Sequence, residues 1–171
     1  GYNSLTANTT GNYNTASGFK ALYANTTGAR NLAIGYQALD AADTENDNLA
    51  IGYDALGGAI AGGEYNVAIG NYSMDALTSG DYNTAVGYNS LTAITTGENN
   101  TAAGYNALSS NAGSDNTAIG FEAVQVTSGS NNTGVGFRAI NNVESADNNT
   151  ALGHRAGDVI TTGSNNVILG Y

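Results

Sequence analysis

The chain has 171 residues, enough for one domain with its own core, and 41% of them are hydrophobic, but only 11% are charged and there is no proline or cysteine. Fourteen acidic against four basic residues give a net charge of -10, which repels a phosphate backbone and argues against a nucleic-acid partner. Without cysteine neither a disulfide framework nor a thiolate metal site can form, and no apolar run reaches membrane-spanning length, so no membrane insertion is expected.

Taken in chain order, the sequence repeats about every seventeen residues. An Asn opens each unit at Asn14, Asn31, Asn48, Asn66, Asn83, Asn100, Asn116, Asn132, Asn149 and Asn166. A Gly follows four places later at Gly18, Gly35, Gly52, Gly70, Gly87, Gly104, Gly120, Gly136, Gly153 and Gly170. The unit length varies from 16 to 18, yet the Asn–Gly offset never slips. Such fixed columns are the signature of a solenoid, one coil per repeat.

Each unit divides into three parts. A stretch such as Asn116 to Phe121 (NTAIGF) comes first, then a small and a larger aliphatic residue (Ala38 and Leu39, Ala107 and Leu108), then a variable polar segment often containing TTG or TSG. Thr, Ile and Val bounded by Asn and Gly compose a strand ending in a turn or bulge. Seventeen residues per turn leave room for two short strands and two turns but not for a helix. The expected fold is therefore all-β: a parallel β-roll or β-helix of about ten coils, with residues 1–171 forming a single repeat domain. Partial coils at both ends suggest a segment of a longer fibrous protein.

Stacking turns each column into a ladder with about 4.8 Å between coils. The Asn column is expected in a turn, bonding the Asn of the next coil, and the Gly column where φ is positive or backbones approach closely. Phe19, Tyr36, Tyr53, Tyr88, Tyr105, Phe121, Phe137, His154 and Tyr171 form an aromatic column interrupted at Asn71. One face of the first strand carries Ile34, Ile51, Ile69, Val86, Ile119, Val135 and Leu152, and the other carries alanines such as Ala33 and Ala50. A thin roll has only one interior, so the second apolar face calls for self-association. A dimer would cover it, but packing the isoleucine column around a threefold axis gives every subunit the same closed interface, so a homotrimer is expected.

The units Asn31 to Tyr36 (NLAIGY), Asn48 to Tyr53 (NLAIGY) and Asn66 to Gly70 (NVAIG) resemble the NSVAIG-type repeat of trimeric autotransporter adhesin heads, the YadA-like parallel β-roll. Asn83 to Gly97 (NTAVGYNSLTAITTG) is also similar to repeats of phage and viral tail fibres. The resemblance covers essentially the whole chain, although the unit here is about three residues longer than the adhesin-head repeat. It implies a left-handed roll and a structural or adhesive role on a cell surface or virion fibre, with a host-surface glycan or protein as the partner. Recognition is then expected in the variable loops Asp40 to Asp47, Gly57 to Glu64 and Asn141 to Asp147.

Other chemistries are poorly served. His154 occupies a ring position and has no acidic residue at triad spacing, so no catalytic residue is assigned and no enzyme is expected. Gly134 to Gly136 and Gly57 to Gly63 match no phosphate-binding fingerprint, and nothing calls for a cofactor. Asp40, Asp43, Glu45 and Asp47 could supply oxygens to calcium, but they lack the spacing of a calcium loop and read as a solvated acidic segment. Glu122, Arg138 and Arg155 fall on successive coils as an ion-pair ladder. Sequons at Asn8, Asn25, Asn99, Asn131 and Asn148 follow from composition. The alternative function is ice binding, because Thr84, Thr101, Thr117, Thr133 and Thr150 stack in register. Against it, a second Thr rank is broken by Ala112 and Ser145, and the first turns to Leu32, Leu49 and Val67. A polysaccharide-cleaving β-helix would need paired carboxylates in adjacent columns, which are not found.

Overall fold

The computed structural model describes residues 1–110, 113–126, 128–158 and 162–170. It is a parallel β-solenoid with no helix among these residues. Ten three-residue strands lie side by side in one sheet and bound nine turns: β1 (Thr15–Ser17), β2 (Leu32–Ile34), β3 (Leu49–Ile51), β4 (Val67–Ile69), β5 (Thr84–Val86), β6 (Thr101–Ala103), β7 (Thr117–Ile119), β9 (Thr133–Val135), β11 (Thr150–Leu152) and β12 (Val167–Leu169). Two short elements on the return path, β8 (Gln125–Val126) and β10 (Asn141–Val143), pair separately. Register is strict, with equivalent repeat positions as direct partners, as in Leu32 with Leu49 and Ala33 with Ala50.

The expectation of two strands per coil is therefore corrected. Beyond the Gly, every second residue is left-handed, at Gln37 and Leu39 and their counterparts, with φ of 52° and 51°. A left-handed residue turns the peptide plane over and prevents a continuous strand. Gln37 N–H thus donates back to Phe19 (2.9 Å) while Leu39 N–H donates forward to Ala55 (3.0 Å). Backbone pairing between coils continues around these corners, so few perimeter groups are left to water.

The core is narrow. The middle strand residue points inward, and Ala33, Ala50, Ala68, Ala85, Ala102 and Ala118 are fully buried. Opposite them lie Leu22, Leu39, Leu56, Met74, Leu91 and Leu108, also fully buried. A left-handed leucine costs about 1–2 kcal/mol, while burying its side chain returns about 1.5–3, so the conformation persists because the core requires it. Val124 and Ile140 adopt it as well, with φ of 51° and 52°, despite their branched Cβ.

Two ladders lock successive coils. Each Asn Oδ1 accepts the backbone N–H of the Asn one coil on, from Asn31 onto Asn14 (2.9 Å) through Asn100 onto Asn83 (3.0 Å) to Asn166 onto Asn149 (3.0 Å). Its Nδ2 donates to a carbonyl at the far end of the coil, as Asn48 does to Gly63 (2.8 Å) and Asn100 to Gly113 (3.0 Å). Most of the ladder asparagines are buried, and these bonds offset their desolvation. In the Gly column φ lies between 129° and 143° from Gly18 to Gly153. A Cβ on Gly104 would collide with the carbonyl oxygen of Gly120.

The Asn ladder gives a direct test. In Asn100→Asp, the Nδ2 that donates to Gly113 and to Asn83 Oδ1 (3.0 Å each) and to the Glu98 carbonyl (3.1 Å) becomes an oxygen facing three acceptors. A buried carboxyl so placed is favoured in its protonated form, so the folded state binds the proton more tightly than the unfolded chain. The variant should lose on the order of 2–4 kcal/mol at pH 7 and regain part of it as the pH falls toward 4, measured by thermal melts across that range.

Candidate functional site

The outer face of the main sheet is the feature that a single chain leaves open. The first and third residues of each strand point outward, because side chains alternate along a strand. From β1 to β12 the first column reads Thr15, Leu32, Leu49, Val67, Thr84, Thr101, Thr117, Thr133, Thr150, Val167, and the third reads Ser17, Ile34, Ile51, Ile69, Val86, Ala103, Ile119, Val135, Leu152, Leu169. No charged residue occurs in either. The isoleucine-type column is substantially uncovered, with Ile34 40%, Val86 41%, Ile119 45% and Leu152 52% exposed. Ile51, Ile69 and Val135 lie in the same column, in register.

The aromatic column borders this face. Tyr2, Phe19, Tyr36 and Tyr53 stack with centroids 4.9–5.8 Å apart, and Tyr88, Tyr105, Phe121, Phe137 and His154 stack at 5.0–5.5 Å. At the Asn71 interruption the next residue, Tyr72, fills the gap edgewise, tilted 59° to Tyr53 and 83° to Tyr88. His154 is the last described ring, 5.0 Å from Phe137. Tyr171 lies outside the described residues, as does Ala112.

On the other border, one residue before each ladder Asn, runs a column held left-handed and exposed except at half-buried Asp47: Arg30, Asp47, Tyr65, Tyr82, Asn99 and Asp115 have φ of 57–60°. Arg30 binds the Asp47 carboxylate through two bonds of 2.6 and 2.7 Å. This bond and charge hold Asp47 below, and Arg30 above, their ordinary pKa.

The carboxylates of the acidic loop have separate duties. Asp47 pairs with Arg30, Asp40 accepts from Gln37 (2.9 Å), and Asp43 accepts from Thr26. Glu45 folds into the coil and accepts the backbone N–H groups of Asp43 (2.8 Å), Thr44 (3.0 Å) and Gly62 (3.0 Å). Among the described residues no group of three such side chains could hold a metal ion. The ion-pair ladder is also corrected: Arg138 bonds Glu122 (2.6 Å), but Arg155 turns to Asp158 (3.5 Å) in its own coil. Asp54 is pushed up by burial and by the neighbouring Asp40 and Asp75.

No family model, curated protein or solved structure matches this chain. Its chemistry must be read from its own surface. One column escaped the sequence reading. Two residues before the ladder Asn, the side-chain oxygens of Asn46, Asp81, Ser114, Ser130, Asp147 and Ser164 accept the backbone N–H of the preceding coil at 2.8–3.1 Å. The signal was present as a short oxygen-bearing residue at a fixed offset, but its varied chemistry masked the column. The sequons also separate: Asn25 is buried, with its Nδ2 bonded to Asn8 and Gly28, while Asn99, Asn131 and Asn148 stand exposed on the left-handed border.

Proposed function

We propose that this chain is a structural and adhesive segment of an extracellular surface fibre, in which three copies pack their outward strand faces around a common axis. The observation that carries this reading is the outer face itself: two uncharged columns over ten strands, largely aliphatic and bordered by stacked rings. A monomer gains nothing by keeping charge off such a face, since edge and surface strands normally carry charge against aggregation. Covering it with identical copies buries apolar surface at about 25 cal/mol per Å² and leaves the polar corners and loops outward. The resemblance of NLAIGY and NTAVGY units to adhesin-head and tail-fibre repeats supports the same arrangement and a left-handed winding. Ladders that lock every coil to the next would make the bundle a stiff spacer able to carry host-binding groups.

Cysteine introduced at Ile119 tests it, because the chain has no other. Three equivalent thiols near one axis can form only one disulfide, provided the Cα atoms lie within about 7 Å. Oxidation should give one covalent pair and one single chain per assembly. Complete conversion to pairs contradicts a threefold arrangement.

The in-register rank Thr84, Thr101, Thr117, Thr133 and Thr150 favours one other reading, ice binding by the exposed face of a monomer. Thermal hysteresis from a monomeric chain would support it.

A further inference from the structure

We infer that the Tyr65–Tyr82 pair and its neighbours Asn99 and Asp115 form a carbohydrate subsite that takes a neutral pyranose ring on the free face of Tyr82. In the long aromatic column a ring such as Tyr105 has both faces covered, by Tyr88 at 5.5 Å and Phe121 at 5.0 Å, so it offers solvent only its edge. The left-handed border is different. Tyr65 and Tyr82 stack at 5.1 Å and 5°, but the column continues with Asn99, whose side chain is too short to cover the next ring position. One face of Tyr82, which is 57% exposed, is left open toward the following coil.

A pyranose ring has an apolar C–H face and a rim of hydroxyls, and its thickness is close to that of an aromatic ring. The place that a third ring of the column would fill, about 4.8 Å beyond Tyr82, therefore suits it. The floor of that place is polar: Asn99 Nδ2 donates to Asp115 Oδ1 at 3.2 Å, leaving an amide oxygen and a second carboxylate oxygen for sugar hydroxyls. The platform is preorganised. Tyr82 N–H is bonded to Glu64 (3.2 Å), Asn99 N–H to Asp81 (3.1 Å) and Asp115 N–H to Glu98 (2.9 Å), so little conformational entropy is lost on binding. Asp115, Glu98 and the net charge of -10 disfavour anionic sugars. The inference rests on ring geometry within one chain and not on the oligomeric state.

The test is saturation-transfer and aromatic chemical-shift NMR on the whole chain in its native assembly, with methyl glycosides of glucose, galactose and N-acetylglucosamine, and with sialic acid as the anionic control. The neutral glycosides should move the Tyr82 ring signals and sialic acid should not. Tyr82→Leu should weaken binding about tenfold, Tyr82→Phe should retain it, and Tyr105→Leu should leave it unchanged, with circular dichroism confirming that each variant keeps its fold. Absence of binding by every neutral glycoside overturns the subsite, as does equal binding by Tyr82→Leu and the native chain. Sedimentation reports the oligomer separately, so failure here is distinct from failure of the fibre reading.

Discussion

Gly104→Val should lower the melting temperature by roughly 4–24 °C and broaden the transition. Gly104 has φ of 141°, a region that costs a branched residue about 1–3 kcal/mol. The added Cβ would also run into the Gly120 carbonyl, which belongs to backbone that cannot swing aside, and overpacking of this kind adds about 1–3 kcal/mol. For a chain of this size each kcal/mol is worth about 2–4 °C. Solenoid stability is a sum of coil and nearest-neighbour terms, so the damage should be local and split the array into two melting units. An exposed change in the same coil, Tyr105→Phe, should shift the midpoint by less than about 2 °C. Calorimetry on both variants distinguishes the cases; a native midpoint for Gly104→Val would remove the ladder from the account.

The second large effect concerns assembly. In Ile69→Glu/Val86→Glu, two adjacent strands carry carboxylates at the centre of the outward face, where the native residues are 36% and 41% exposed in a single chain. Outward residues have room, so the coil itself should fold with unchanged circular dichroism. In a packed threefold bundle, six unpaired carboxylates would meet in apolar surroundings at a cost of several kcal/mol per ion. The assembly should separate into single chains at concentrations where the native protein remains associated, as read by light scattering. Unaltered association of this variant would mean that another surface holds the copies together.

These effects trace back to which positions were legible in the sequence. Asn31, Gly35 and Ala33 could be placed as turn, close approach and core because each recurs at a fixed offset with one chemistry, and periodicity speaks clearly only for such columns. The second strand was misread at Gln37 and Leu39, since a leucine with positive φ has no local signature; its conformation is imposed by the core it must reach. The acceptors Asn46, Asp81 and Ser114 share only an oxygen at similar reach, so identity comparison missed them. Arg155 left its expected ladder because Asp158 lies three residues on in the same coil. The openness of the Tyr82 face depended on which side chain follows in the stack, and became visible only once coils were superposed in register.

Sedimentation equilibrium of the native chain at micromolar concentration decides whether three copies pack their outward faces together. A particle of three times the 17.2 kDa chain mass, stable to dilution and lost in Ile69→Glu/Val86→Glu, is the predicted result. A stable 17.2 kDa monomer, with the isoleucine column open to water, would contradict it.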